Sequence, residues 1–115
     1  MRYLLLVHLD ADRMSRLSAE DGEVLERASV SFDQELKRSG KAIALGPLAE
    51  SDPGTIVRPG RDGPVLTDGP FIEAKEHVGG FLLLEVKDRQ EALDIASAAP
   101  ISRYGAIEVR EVRRG

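Results

Sequence analysis

The chain contains no cysteine among its 115 residues. A disulfide framework, a thiolate nucleophile and a cysteine-based zinc site are therefore excluded, and the cytoplasm is the expected compartment. Tryptophan is also absent, and aromatic residues make up only 4% of the chain. Proteins that bind single-stranded nucleic acid stack bases on aromatic side chains and contact phosphates through basic residues. This scarcity, together with a net charge of −4, predicts no nucleic-acid partner.

Long apolar runs are missing as well. The apolar segment 3–7 is followed by His8 and Asp10, and it is shorter than the apolar part of a signal peptide or of a membrane-spanning helix. We therefore expect a buried strand there and no membrane partner. Hydrophobic residues make up 42% and charged residues 31% of the chain, as in ordinary globular proteins. The length predicts a single domain, 1–115, with one core.

The apolar pattern predicts the order βαβ, hairpin, βαβ. The first helix begins after Ser18, whose hydroxyl can cap it, and Gly40 suits its C-terminal end. The second helix begins after Asp88 and ends at Pro100. This order is the ferredoxin-like α+β unit. The predicted strands are 3–7, 42–45, 55–57, 65–67, 81–86 and 107–110, with a polar loop at 10–13 and a hairpin turn at Asp62-Gly63.

Two of these strands, 4–7 and 81–84, are apolar at consecutive positions. Helices cover only one face of a ferredoxin-like sheet, and a sheet whose other face is wet would alternate apolar and polar residues. The second face must therefore be covered. The simplest cover is a second copy of the chain, so we expect a homodimer.

Residues 68–77 hold the densest group of chemically useful side chains. Asp68, Gly69 and Pro70 predict a turn. A carboxylate beside Lys75 would stay ionised, whereas one packed against Phe71 would hold a proton more readily, and such a pair suits proton transfer. The alternative is a turn capped by Asp68 and followed by a solvated charged face. The charged or titratable residues after the turn are Glu73, Lys75, Glu76 and His77.

His8, Asp10 and Asp12 alternate along an extended segment and would share one face. The spacing is not that of a zinc site and no third partner is identified, so no metal is predicted. We instead expect His8 to carry protons, because histidine titrates near neutral pH. Neither Gly46-Pro47 nor Gly79-Gly80 has the pattern of a nucleotide-binding loop, so no cofactor is predicted.

The segment Asp68-Gly-Pro-Phe71 with Glu73, Lys75-Glu76 and Gly79-Gly80 resembles the DGPF signature of the YCII-related family. The similarity extends to 1–6, 46–48 and 104–109, which together span nearly the whole chain. Ala74 stands where such strings often carry threonine, and His8 where the family often shows tyrosine. The resemblance implies a ferredoxin-like unit that dimerises into an α/β barrel, and it implies much less about the reaction.

Two functions follow from these expectations. In the first, the chain is a small-molecule-binding protein or a cofactor-free enzyme with isomerase-like or lyase-like acid–base chemistry, as in related dimeric barrels. Its pocket would lie between sheet and helices near Asp68. Asp68 or His8 would move a proton, Lys75 would hold an anionic group, Glu73 or Glu76 would orient it, and Phe71 would contact the ligand.

In the second function the chain is a non-catalytic accessory or regulatory protein that acts through protein–protein contacts. The resemblance contributes a link to alternative sigma factors, beside which members of the family are often encoded. A deep pocket with buried titratable groups favours the first function, and a flat exposed motif favours the second.

Overall fold

The computed structural model describes residues 1–69 and 76–113. In chain order, the elements are strand β1 (Arg2–Asp10), helix α1 (Ala11–Ser15), helix α2 (Ala19–Arg38), strands β2 (Ala42–Pro47), β3 (Thr55–Gly60), β4 (Gly63–Asp68) and β5 (Glu76–Glu85), helix α3 (Arg89–Ala98), a 3₁₀ helix (Pro100–Tyr104) and strand β6 (Gly105–Glu111).

Four strands form an antiparallel sheet in the order β2-β5-β1-β6, and β3 and β4 pair separately as a hairpin. In the register, Leu5 of β1 lies opposite Leu82 of β5 on one side and Val109 of β6 on the other. The predicted order βαβ, hairpin, βαβ is confirmed, and with it the ferredoxin-like α+β fold.

The core lies between the sheet and the helices. Tyr3, Leu5 and Leu84 are at most 1% exposed, and Leu36 of α2 and Ala96 of α3 close the core from the helix side. Among the described residues this space is filled by packed side chains. The pocket that we expected near Asp68 would involve residues 70–75, which lie outside the described residues, so its position stays a prediction.

Short-range signals fixed the ends of the long helices. The Ser18 hydroxyl accepts a hydrogen bond from the Asp21 amide at 3.0 Å, and the Asp88 carboxylate accepts one from Glu91 at 2.9 Å. Gly40 has a positive φ of 78° just after α2. The three predicted helix boundaries are therefore confirmed.

Two local predictions need correction. Residues 10–13 were expected to be a loop, but Asp10 caps α1 by accepting hydrogen bonds from the amides of Asp12 and Arg13. The hairpin turn lies one residue earlier than expected, at Arg61 and Asp62. Gly63 follows the turn with φ 122°, a region that other residues avoid.

One face of the four-stranded sheet carries no helix. Along β1, Tyr3, Leu5 and Val7 are buried on the helix side, whereas Leu4 and Leu6 between them are only half-buried. The alternation shows that Leu4 and Leu6 point to the opposite face, which we call the helix-free face. None of the helices in the described parts of the chain is long and apolar enough to cross a membrane.

Candidate functional site

His8 and Glu108 meet on the helix-free face. The Nε2 atom of His8 lies 2.9 Å from Oε1 of Glu108, and the two side chains are 29% and 40% exposed. In the register of β1 and β6, His8 lies opposite Ala106 and Leu6 lies opposite Glu108. His8 and Glu108 are thus diagonal neighbours on one face of adjacent strands, a spacing that long side chains bridge.

Apolar residues lie beside this pair along the same face. Leu4 lies opposite Leu83, and Leu6 lies opposite Phe81, and all four are half-buried in the single chain. Residues opposite each other in an antiparallel pair project to the same side. The polar pair therefore lies at the border of an apolar surface that has no cover within the described residues.

The carboxylate of Glu108 is held in its ionised form. Its pKa lies below the ordinary value, mainly because it accepts a hydrogen bond from His8. Burial acts in the opposite direction, and Arg110 lowers the pKa further through Nη1, which lies 3.4 Å from Oε2. Glu108 is therefore a charged, fixed acceptor between His8 and Arg110.

This acceptor determines the tautomer of His8. Because an ionised carboxylate only accepts hydrogen bonds, Nε2 of His8 must carry the hydrogen. In the neutral imidazole the lone pair then lies on Nδ1. Within residues 1–69 and 76–113 no protein group forms a hydrogen bond with Nδ1. A ring oriented at one nitrogen and free at the other is suited to general-base catalysis.

Two irregularities of the sheet occur at His8. The pairing of β1 with β5 shifts by one residue between Val7 and His8, so that His8 lies opposite Val78. Such bulges redirect the side chains beside them and are common next to active sites. On the other side, a Cβ atom at Gly105 would collide with the carbonyl oxygen of His8. Glycine at this position allows β6 to approach the backbone of His8 closely.

The other residues that we proposed from the sequence are placed as follows. Asp68 ends β4, opposite Thr55, and is exposed. Glu76 begins β5 opposite Asp10, at the same end of the sheet as His8, and is also exposed. No hydrogen bond or ion pair between described residues joins Asp68 or Glu76 to His8. Phe71, Glu73 and Lys75 lie outside the described residues.

In the described ranges, His, Cys, Asp and Glu form no group of three or more that could hold a metal ion. Asp10, which we considered as a candidate ligand, caps α1 instead, and Asp12 is exposed on that helix.

Glu108 is the site residue that the sequence analysis missed. Its distance of 100 residues from His8 gives no local signal. The usable signal was the expected topology, because the first and last strands of a ferredoxin-like sheet are neighbours and Glu108 alternates with the apolar Ile107 and Val109. A polar residue on the otherwise apolar face beside His8 was therefore predictable in principle.

Comparison with known proteins agrees with this fold. A sequence model of the YCII-related domain matches residues 1–114. An uncharacterised protein of Rhizobium meliloti (strain 1021) is 33% identical over an alignment 117 residues long, and the alignment covers 96% of this chain and 90% of that protein.

Among solved structures, the chain resembles 5-chloro-2-hydroxyhydroquinone dehydrochlorinase (TftG) from Burkholderia phenoliruptrix AC1100, in a complex with 2,5-dihydroxybenzoquinone. The TM-score is 0.58, the sequence identity is 17%, and the match covers 100% of this chain and 96% of that chain. At this identity the likeness concerns the fold. The family match over 114 residues, the relative at 33% identity and the ferredoxin-like sheet lead to one conclusion: the chain belongs to the YCII-related family.

Proposed function

We propose that this protein binds a small molecule on its helix-free face and transfers a proton to or from it through His8, without a cofactor. The observation that carries the proposal is the 2.9 Å contact between His8 and the ionised Glu108 on an apolar surface. A titratable group held by a charged partner beside an apolar surface is the usual environment of an acid–base catalyst.

In this mechanism Glu108 acts as a positioning residue. It fixes the imidazole ring and its tautomer, and Arg110 in turn holds the second carboxylate oxygen. Nδ1 of His8 takes a proton from a carbon or oxygen of the ligand and returns it elsewhere on the same molecule. The half-buried Leu6 and Phe81 contact the apolar part of the ligand. Asp68, Phe71, Glu73, Lys75 and Glu76 remain proposed binding or proton-transfer residues at the segment that leads into β5.

The structural neighbour supports the choice of ligand class. Its name describes the removal of HCl from a hydroxylated aromatic ring, and it was solved with a dihydroxyquinone bound. Such rings are planar and apolar on their faces and carry acidic hydroxyl groups at their edges. They match an apolar surface with one titratable group at its border, so we propose a small cyclic enol or hydroxyquinone as the ligand.

The test uses 2,5-dihydroxybenzoquinone as the probe. Its ring hydrogens exchange with deuterium in D₂O when a catalyst deuterates the ring carbon and then removes the original hydrogen. The wild-type protein should accelerate the loss of the ring signal in proton NMR spectra. His8→Gln should reduce the protein-catalysed rate by about 100-fold or more, the usual contribution of a general base.

His77→Gln is the matched control. His77 lies exposed on β5 opposite Leu9, on the side of the sheet away from His8, so the variant should keep the wild-type rate. Glu108→Gln removes the charge but keeps the shape, and it should lower the rate less than His8→Gln does. The proposal fails if the wild-type protein neither binds the probe nor accelerates exchange, or if His8→Gln behaves like wild type.

The accessory function is a second candidate, and one observation favours it. In the hairpin of β3 and β4, the exposed fractions of Val57, Val65 and Leu66 are 62%, 54% and 64%. Exposed apolar residues of this kind are typical of a surface that binds another protein. If this function is correct, charged substitutions in the hairpin should abolish binding to a heterologous partner, whereas His8→Gln should leave that binding unchanged.

A further inference from the structure

The hairpin of β3 and β4, residues 55–68, forms a sheet separate from the four-stranded sheet. We call this hairpin the arm. Its two strands pair only with each other, and every residue in it except Ile56 is exposed. An isolated two-stranded hairpin is at best marginally stable in water. The arm therefore needs a surface to pack against.

Both faces of the arm carry apolar side chains. Val57 lies opposite Leu66, so these two share one face. Ile56 and Val65 lie on the other face, because Val65 is opposite Arg58 and alternate residues of β3 share a side. A hairpin that only had to be soluble would present one polar face. An arm with apolar side chains on each face can therefore bury some of them against another surface.

The arm begins and ends beside the four-stranded sheet, at the end of that sheet where His8 lies. After β2, the Leu48 amide donates a hydrogen bond to the carbonyl oxygen of Gly79, at 2.9 Å. The chain returns from the arm into β5 at Glu76, opposite Asp10 and two positions from His8 along β1. The base of the arm is thus beside the end of the helix-free face where His8 and Glu108 meet.

The exposed area of the chain is large enough for an interface with a second copy. The accessible surface is 8355 Å², about 2,200 Å² more than the roughly 6,200 Å² expected of a folded monomer of this mass. The radius of gyration is 16.0 Å, against about 13 Å for a compact domain of this length. A standard interface buries about 800 Å² per partner. The excess area is therefore sufficient for an extensive interface with another copy.

We propose that the arm of one copy packs against the helix-free face of a second copy and forms one wall of the site around that copy's His8 and Glu108. A two-fold axis makes the exchange reciprocal, so each site is completed by the other chain. The half-buried Leu6 and Phe81 then acquire an apolar cover. The role of the wall rests on the proposed function, whereas the exchange of arms does not.

The first experiment tests the exchange without any ligand. Because the chain lacks cysteine, Arg61→Cys at the turn of the arm gives a single site for a nitroxide spin label. Spin-labelled protein at natural isotope abundance is mixed with unlabelled ¹⁵N protein, and the dimers are exchanged by mild denaturation and refolding. Resonances of the ¹⁵N chain from Leu4, Leu6, His8 and Leu83 should broaden, because the label sits on the other copy.

The same label at Glu23→Cys, on the exposed side of α2, is the control and should leave those four resonances sharp. The proposal is overturned if the arm label broadens them only when label and ¹⁵N are on the same chain. Broadening of α2 and α3 resonances in place of the sheet, or a monomeric protein at NMR concentration, would also overturn it.

The second experiment tests the wall by complementation, with 2,5-dihydroxybenzoquinone as the probe. One variant is His8→Gln with an intact arm, and the other carries Val57→Asp and Leu66→Asp with an intact His8. Neither alone should catalyse the loss of the ring signal of the probe in D₂O. After the subunits of equal amounts are exchanged, about a quarter of the wild-type rate should return, because about half of the dimers are mixed and each then holds one complete site.

If catalysis does not return although mixed dimers form, the arm does not complete the partner's site. If the wild-type protein binds no probe at all while the spin-label result holds, the proposed function fails and the exchange of arms stands. The two failures are therefore distinguishable.

Discussion

At the scale of single residues, the site depends on three side chains on adjacent strands that contact one another in sequence. Arg110 and His8 each contact one oxygen of Glu108, so the carboxylate is held from both sides. A carboxylate in this position does more for the orientation of His8 than for the stability of the fold, because all three side chains are partly exposed and exposed ion pairs contribute little. The consequence should be visible in the pH dependence of variants.

Glu108→Gln should remove an interaction that stabilises the fold. The lowered pKa of Glu108 determines how this stabilisation changes with pH. A carboxyl whose pKa is lower in the folded state stabilises the fold above its unfolded pKa, about 4.3 for glutamate. This stabilisation is lost as the pH falls through the lower folded pKa. The difference in Tm between wild type and Glu108→Gln should therefore be present at pH 7 and shrink below about pH 4.

Thermal melts from pH 7 to pH 3 would measure this difference, with Glu26→Gln on the exposed side of α2 as the control. A difference that grows towards low pH would contradict the assignment of Glu108 as the ionised partner of His8.

The segment that begins at residue 68 contains both a residue that we expect to stabilise the fold and residues that we propose to bind a ligand. The Gly69 amide donates a hydrogen bond to the carbonyl oxygen of Gly54 at 2.8 Å. A Cβ atom at Gly69 would lie 2.7 Å from the backbone oxygen of Pro53. Gly69→Ala should therefore destabilise the protein by about 1 to 3 kcal/mol, as overpacking generally does.

Glu73→Ala and Lys75→Ala should change the stability by less than about 0.5 kcal/mol, as ordinary surface substitutions do, while weakening the binding of 2,5-dihydroxybenzoquinone. Chemical denaturation and a binding titration of the three variants would decide. If the two charge variants are as unstable as Gly69→Ala, these charges are structural and their assignment to a site is wrong.

At the scale of elements, features with a local cause could be predicted from the sequence. Ser18 and Asp88 begin helices because a short polar side chain can accept a hydrogen bond from an amide three positions later, and both residues do so. Asp10 does the same for α1, but that helix spans only five residues and has no apolar stripe to reveal it.

The pairing of His8 with Glu108 has no local cause, since it depends on the register of β1 and β6. The sequence therefore predicted the sheet and one member of the pair, whereas the other member required the structure.

Strand β6 lies close to the backbone of His8 at Gly105, so a side chain at Gly105 should disturb the pairing of β1 with β6. A methyl group at Gly105 would overlap the carbonyl oxygen of His8, and the atom in the way is backbone. The two strands would have to separate, so Gly105→Ala should cost about 3 kcal/mol or more and shift the amide resonances of His8 and Leu9. Gly22→Ala is the control, because nothing lies within 4 Å of a Cβ atom at that position in α2.

Alanine at Gly22 should stabilise the helix by about 0.5 to 1 kcal/mol. The two substitutions are chemically identical and should change the midpoint of urea unfolding in opposite directions. A Gly105→Ala variant as stable as wild type would show that β6 does not hold the backbone of His8 closely.

At the scale of the whole molecule, the main feature is an apolar sheet face that stays partly exposed in the single chain. The helices cover one face of the sheet, and the residues with side chains on that face form the core. The consecutive apolar residues at 4–7 and 81–84 place Leu4, Leu6, Phe81 and Leu83 on the other face, where they are only half-buried. Burying a side chain of this size contributes about 1.5 to 3 kcal/mol. Several such side chains on one face provide a strong driving force for association.

The predicted homodimer follows from this surface. Light scattering at micromolar concentration should give about twice the chain mass of 12.5 kDa. Leu83→Asp places a charge on the helix-free face and should make the protein monomeric, because an unpaired carboxylate in an interface loses its hydration without gaining a partner. Val24→Asp is the matched control: Val24 is 52% exposed on α2, away from the proposed interface, and the variant should remain a dimer. A monomeric wild type, or a dimer that Val24→Asp dissociates and Leu83→Asp leaves intact, would show that the copies do not meet through the sheet.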